Sequence, residues 1–217
     1  MKKINEIDWD NYSEKVNSVY PSEMLIRFYN KFLYSINNPK VLEIGCGVGR
    51  NTLYLSKMSN NVTSIDISPL AISKTNSLLK NNKTIAKTLC VKVQDFEFKK
   101  YDAVIDVSSL QHISHSSFCK IIPKIYEALN QGGAFLSITK HPTDYIQAFG
   151  NALSFREKMY DEHFDKLTNP CTINFLSKED ILQTYKSFSN LEINTEKWTY
   201  DNGKKINSHW IIWAQKK

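Results

Sequence analysis

The stretch Val41-Leu42-Glu43-Ile44-Gly45-Cys46-Gly47-Val48-Gly49-Arg50 decides the fold. An apolar run ends in an acidic residue and then in glycines at three alternate positions. Asn51-Thr52-Leu53-Tyr54-Leu55-Ser56 follows and can continue as a helix. Strand, glycine turn, helix is the layout of a nucleotide-binding crossover. Glycine lacks Cβ, so such a turn can take positive φ and lay its backbone against a ligand. A dinucleotide fingerprint places its third glycine three positions after the second. Here that place holds Arg50, and the third glycine comes one residue early, at Gly49.

Outward from the turn, strands and helices alternate. Residues 21–35 read as a helix with Leu25, Phe28, Phe32 and Leu33 at helical spacing, and Asn37-Asn38-Pro39 stops it. Residues 40–45 form a buried-type strand, and 49–58 a helix. Val62 to Ile67 is a second strand. Ser68-Pro69 opens a helix through about Lys80, with Ser68 as N-cap and Pro69 at its first position. Strands follow near Thr88–Val93 and at Asp102–Val107. Residues 117–130 are helical, and Gln131-Gly132-Gly133 turns into a strand from Ala134 to Thr139. Alternation of this kind predicts a parallel sheet with right-handed crossovers. The C-terminus breaks the pattern. Leu191–Tyr200 and Ile206–Gln215 read as strands around the hairpin signal Asp201-Asn202-Gly203-Lys204.

The chain of 217 residues fits one domain. No apolar run approaches the roughly 18 residues of a membrane span, and Met1 to Asp8 lacks the apolar core of a signal peptide. Cys46, Cys90, Cys119 and Cys171 are far apart with no CxxC pair, so a reducing cytoplasm and no metal are expected. The net charge of +6 is spread over lysines interleaved with acids, which reads as a solvated surface and not a nucleic-acid face.

The glycine spacing resembles motif I of the class I S-adenosylmethionine-dependent methyltransferases, written E/D-x-G-x-G-x-G. Glu43, Gly45, Gly47 and Gly49 match it position for position. The terminal hairpin is similar at the level of topology, because that family's seventh strand is antiparallel and slips between the fifth and sixth. The resemblance implies a Rossmann-like α/β three-layer sandwich with a seven-stranded, mostly parallel sheet and an antiparallel last strand. It implies S-adenosyl-L-methionine as cofactor, held by Glu43, Gly45, Cys46, Gly47 and Gly49. Asp66, 21 residues after Gly45, stands where a carboxylate accepts from both ribose hydroxyls, or else caps the next helix. Ile67 neighbours it. Asp95 and Phe96 match the residues that meet the adenine. Asp106 ends the fourth strand towards the methionine part, mainly through its backbone, whereas Asp102 supports the sheet.

The acceptor is harder to read. Ser108-Ser109-Leu110-Gln111-His112-Ile113 resembles the segment after the fourth strand in the small-molecule methyltransferases, with Gln111 in place of one histidine. The Asn/Asp-Pro-Pro-aromatic and Pro-Cys motifs of base-modifying relatives are missing there. Residues 141–176 form an insertion that can close as a lid, and residues 1–38 a helical cap whose Trp9, Tyr12, Tyr20 and Arg27 can close the other side. An O or N acceptor must lose a proton, so a histidine base is useful, with His141 first, then His112, His115 and His163. Tyr20, Arg27, Tyr145 and Arg156 are the candidate substrate contacts, the arginines because a planar fork suits carboxylate or phosphate. The expectation is a small-molecule methyltransferase, monomer or homodimer, with no nucleic-acid or membrane partner. Methylation of RNA or protein, and an NAD-dependent oxidoreductase, are the alternatives.

Overall fold

The computed structural model describes residues 9–154, 156–160 and 171–217. Its main sheet has seven strands: β1 (Val41–Ile44), β2 (Val62–Asp66), β3 (Lys87–Cys90), β4 (Tyr101–Val107), β5 (Leu129–Lys140), β9 (Asn190–Tyr200) and β10 (Lys205–Gln215). They lie in the order β3-β2-β1-β4-β5-β10-β9. β1 to β5 pair in parallel, and β10 runs antiparallel to both β5 and β9. The last strand therefore enters between its two predecessors in the sheet, as the family resemblance implies. Asp201, Asn202 and Gly203 supply the left-handed turn, with φ of 54°, 54° and 82°.

Successive residues of a strand face opposite sides, so the sheet carries two cores. Val104, Phe135 and Ile212 face α5 (His115–Ala128) and α6 (Lys178–Thr184), where Phe118, Ile122, Ile181 and Tyr185 are buried. Phe135 stacks on Tyr185 at 5.9 Å. Ala103, Leu136 and Ile211 face the opposite side, packed with Leu25, Phe28, Tyr29 and Leu33 of α2 (Glu23–Phe32) and the residue after it. This is the three-layer sandwich the resemblance implies.

Local chemistry sets the ends of the elements. Ser68 caps α4 (Pro69–Asn81) by accepting from the Ala71 N–H at 2.9 Å. Asp102 ties the start of β4 to its two neighbours, accepting from the Lys40 N–H at 2.8 Å and the Asn130 amide at 2.7 Å. Two expectations are corrected. β3 stops at Cys90, because residues 92–96 turn through Asp95 N–H to Lys92 O and Phe96 N–H to Val93 O bonds. α5 starts at His115, since Ser114 caps it by accepting from the Ser117 N–H. Strands also lie in the 141–176 segment. It carries a small antiparallel sheet of β6 (Asn151–Ala152), β7 (Glu157–Tyr160) and β8 (Cys171–Asn174). Among the described residues two helices precede β1: α1 (Trp9–Lys15) and α2. Among the described residues no helix is long and apolar enough to cross a membrane.

Candidate cofactor and transfer site

The carboxyl ends of β1, β2 and β4 bring the sequence-marked residues to one edge of the sheet. The turn after β1 is held by the Gly45 and Cys46 N–H groups, which both donate to Ile65 O, at 2.8 and 3.0 Å. It leads through Gly49 into α3 (Arg50–Met58). Gly45 has φ +69°, and a Cβ there would lie 2.3 Å from Ser109 Cβ, so the turn and the loop after β4 touch through bare backbone. Gly47, at φ +54°, differs: a Cβ would meet nothing within 4 Å. Its face is open space where a ligand can approach the main chain. Cys46 contributes backbone only; its side chain is buried beside Thr75, and burial pushes its thiol up.

Two carboxylates flank this turn. Asp66, half-buried at the end of β2, accepts from the Gly47 N–H at 2.8 Å through one oxygen and from the Ser68 N–H at 2.9 Å through the other. Each oxygen keeps a second lone pair for a hydroxyl. Burial pushes this carboxyl up, opposed by the Ser68 and Gly47 amides. Glu43 lies beneath the turn, fully buried. Its Oε2 accepts from the Thr52 hydroxyl at 2.5 Å and the Ser64 hydroxyl at 3.1 Å, while Oε1 is buried with no partner. Burial pushes it up to about 7, against the Thr52 and Ser64 hydroxyls that favour its charged form. Asp106 faces inward. It accepts from the Ser109 and Leu110 N–H groups, both at 3.0 Å, and from Ser137 Oγ at 2.9 Å, with burial pushing it up to about 6. Its side chain is thus scaffold, and the residue as a whole is buried between β1 and β5. Ile67 is 40% exposed beside Asp66, Asp95 is exposed, and Phe96 packs edge-on to Phe98.

The structure places the other candidates apart. His112 Nδ1 is 3.0 Å from Thr172 O and Nε2 is 3.1 Å from the Gln111 amide nitrogen, and burial pulls the ring down to about 4. His141 leaves β5, with its Nδ1 accepting from the Thr143 N–H and facing the Thr143 hydroxyl, and its ring 4.1 Å from Trp210. Burial pulls it down, with help from Lys197. His115 opens α5, its N–H on Glu157 Oε1 at 2.7 Å. His163 lies outside the described residues. Tyr145 packs against Tyr200 and Phe149, and Tyr20 is 80% exposed. Arg27 and Arg156 both have a carboxylate partner, as a guanidinium fork suits, but it is internal: Glu23 at 2.7 Å on the outside of α2, and Asp180 at 2.5 Å at the start of α6.

Several structural partners carry no sequence signal. Asp10 on α1 accepts from Ser68 Oγ and from the Leu70 N–H, which adds a second cap to α4. Lys140 donates to buried Asp144 at 2.8 Å, and Asp144 also takes the Ser208 N–H at 2.8 Å, fastening the insertion to β10. Ser109 faces Gly45 across 64 residues of sequence. Only tertiary contact reveals these.

Comparison with known proteins agrees with this geometry. Residues 41–133 match the family model described as a methyltransferase domain. Over this stretch the chain is similar to S-adenosylmethionine-dependent methyltransferases. It is 25% identical over 175 residues to the probable S-adenosyl-L-methionine-dependent methyltransferase TehB of Haemophilus influenzae, covering 77% of this chain and 53% of that one. It thus spans about half the length of that relative. It is 20% identical over 190 residues to the ubiquinone biosynthesis O-methyltransferase of Nitrosococcus oceani, covering 84% and 79% of the two chains. The crystal structure of Haemophilus influenzae TehB superposes with a TM-score of 0.69 at 21% identity, over 96% of this chain and 66% of that one. The relative's name gives S-adenosyl-L-methionine as its cofactor, and the residues present here fit that group. Gly47 has the open face an apposed ligand needs, and Asp66 has spare lone pairs for hydroxyls.

Proposed function

We propose that this protein moves a methyl group from S-adenosyl-L-methionine to an oxygen or nitrogen of a small-molecule acceptor. The observation that carries the reading is the open face of Gly47 next to the Asp66 carboxylate, at the carboxyl ends of β1 and β2. In open α/β sheets ligands bind at such a crevice. The main chain of Gly45, Cys46, Gly47 and Gly49 would hold the methionine part, with Glu43 bracing the turn from below and the Asp106 backbone lying alongside. Asp66 would accept the ribose hydroxyls. Ile67, Asp95 and the Phe96 amide would take the adenine. The bound cofactor supplies an activated methyl group on a sulfonium centre. The protein's share is to hold the acceptor in line and exclude water, which is worth up to about 7–11 kcal/mol in well-oriented systems.

Residues 141–176 act as the lid in this reading, and α1 and α2 as the opposite cover. His141 is the histidine retained for proton removal. Burial beside Trp210 pulls its ring below the usual range, and its Nδ1 lone pair serves as a base once the Thr143 N–H that now occupies it lets go. The name of the ubiquinone biosynthesis relative supports a small organic acceptor. The absence of a disulfide among the described cysteines supports a cytoplasmic setting. The test is a panel of phenols, hydroxy acids, amines and thiols incubated with the protein and methyl-labelled cofactor. Label in a small product supports the reading. Label only in added RNA or protein overturns it.

A further inference from the structure

The ring of His112 is where two covering elements meet. Trp9 of α1 packs against it at 4.9 Å between ring centroids, with planes 69° apart. From the other side comes Thr172 of β8, whose main-chain oxygen lies 3.0 Å from Nδ1. One tautomer satisfies the whole set. The Lys140 N–H donates to Gln111 Oε1 at 2.9 Å, so the Gln111 NH2 faces His112. His112 Nε2 must then accept, which leaves the proton on Nδ1 for Thr172 O. Both nitrogens are therefore spent on structure, and the ring has no lone pair left to act as a base. Asn174 of β8 adds a tether, donating to Gln111 O at 3.3 Å and also to Ile113 O.

The far side of α1 is pinned as firmly. Asp10 holds Ser68 and the Leu70 N–H, and Lys74 donates to the carbonyls of Ser13 and Glu14 at 2.7 and 3.0 Å. Ser68 lies two residues beyond Asp66. The contacts of α1 thus fall on both flanks of the glycine turn: the start of α4 on one, the loop after β4 on the other.

We propose that His112 is a positioning residue that joins α1 and the small sheet into one cover over the cofactor turn. Bound cofactor leaves only after the ring releases one of the two. The inference rests on the cofactor site proposed above. It makes cofactor release a gated step, with the acceptor entering by another path than the one α1 blocks.

The test is the dissociation rate of S-adenosylhomocysteine from the full chain, measured by stopped-flow competition, with thermal unfolding as a control for folding. His112→Ala should release it roughly tenfold faster, the effect of losing one hydrogen bond and one ring contact. His112→Asn keeps a donor for Thr172 O and should recover much of the slow release. Trp9→Ala should speed release, Trp9→Phe should not, and Trp9→Ala should add little in the His112→Ala background. Unchanged release from folded His112→Ala, or His112→Asn no slower than His112→Ala, overturns the proposal. If His112→Ala does not fold, the two Trp9 variants decide in the same way: equal rates overturn it. A wild-type chain that binds no S-adenosylhomocysteine sinks the cofactor reading instead.

Discussion

One added methyl group at Gly45 tests how the cofactor turn is built. In Gly45→Ala the new Cβ would stand 2.0 Å from Ser109 Oγ and 2.3 Å from Ser109 Cβ. Comfortable carbon–carbon contact is about 3.5–4.0 Å, so more than an ångström must be found. The hydroxyl can swing away, but Ser109 Cβ moves only with its backbone. That backbone is tied, because Asp106 accepts from the Ser109 and Leu110 N–H groups and is itself buried. Forced overpacking costs about 1–3 kcal/mol, and φ of +69° costs a residue with Cβ about 1–2 more. We expect Gly45→Ala to lose about 2–5 kcal/mol, which for a chain of this size is a fall in Tm of roughly 5–15 °C. Ser109→Gly removes the obstacle at a cost of about 1 kcal/mol. The double variant should therefore be more stable than the two losses summed, by at least about 1 kcal/mol. Urea unfolding of the four proteins gives this coupling directly. Strictly additive losses, or a Gly45→Ala protein as stable as wild type, would refute the contact and the reason given for the glycine.

Gly47→Ala should behave in the opposite way. Its Cβ enters open space, so stability should drop only by about 1–2 kcal/mol for the backbone, while calorimetry shows cofactor binding lost. Asp66→Ala should weaken S-adenosylmethionine binding by roughly a hundredfold, since hydrogen bonds to a charged group are worth about 1.5–3 kcal/mol; unchanged affinity would remove the ribose role. Glu43 gives a pH dependence. Its carboxyl is raised from 4.5 to about 7 in the fold, so the native state holds the proton that the unfolded chain has lost. Stability should then fall as pH rises from 4.5 towards 7, and level off above. Glu43→Gln should flatten that slope, so that its Tm relative to wild type climbs between pH 5 and pH 8 in a differential scanning series.

The parts legible in the sequence are those written locally. The glycine spacing, the Ser68-Pro69 cap and the Asp201-Asn202-Gly203 turn each fix backbone geometry within a few residues. Together with the alternation of strands and helices they led to the parallel sheet and to the reversed last strand, whose place between its neighbours came from the family resemblance. Longer-range facts left no local mark. The strands β6, β7 and β8 are two to four residues long, too short for a periodic pattern to emerge. They are held by partners such as Glu157 on the His115 N–H and Asn174 on the loop after β4. The arginines show the same limit from another side. Their preference for a carboxylate was readable, but that Asp180 and Glu23 of the chain itself would satisfy it was not. His112 was readable as a residue of the site, yet which of its nitrogens are spoken for depends on Gln111, Lys140 and Thr172 together.

The central claim concerns what the glycine turn binds. Isothermal titration of the full chain with S-adenosylmethionine, S-adenosylhomocysteine and NAD tests it most directly. Both sulfur nucleosides should bind saturably and NAD should not, with Gly47→Ala abolishing the signal. Tight NAD binding with no response to either sulfur compound would contradict it.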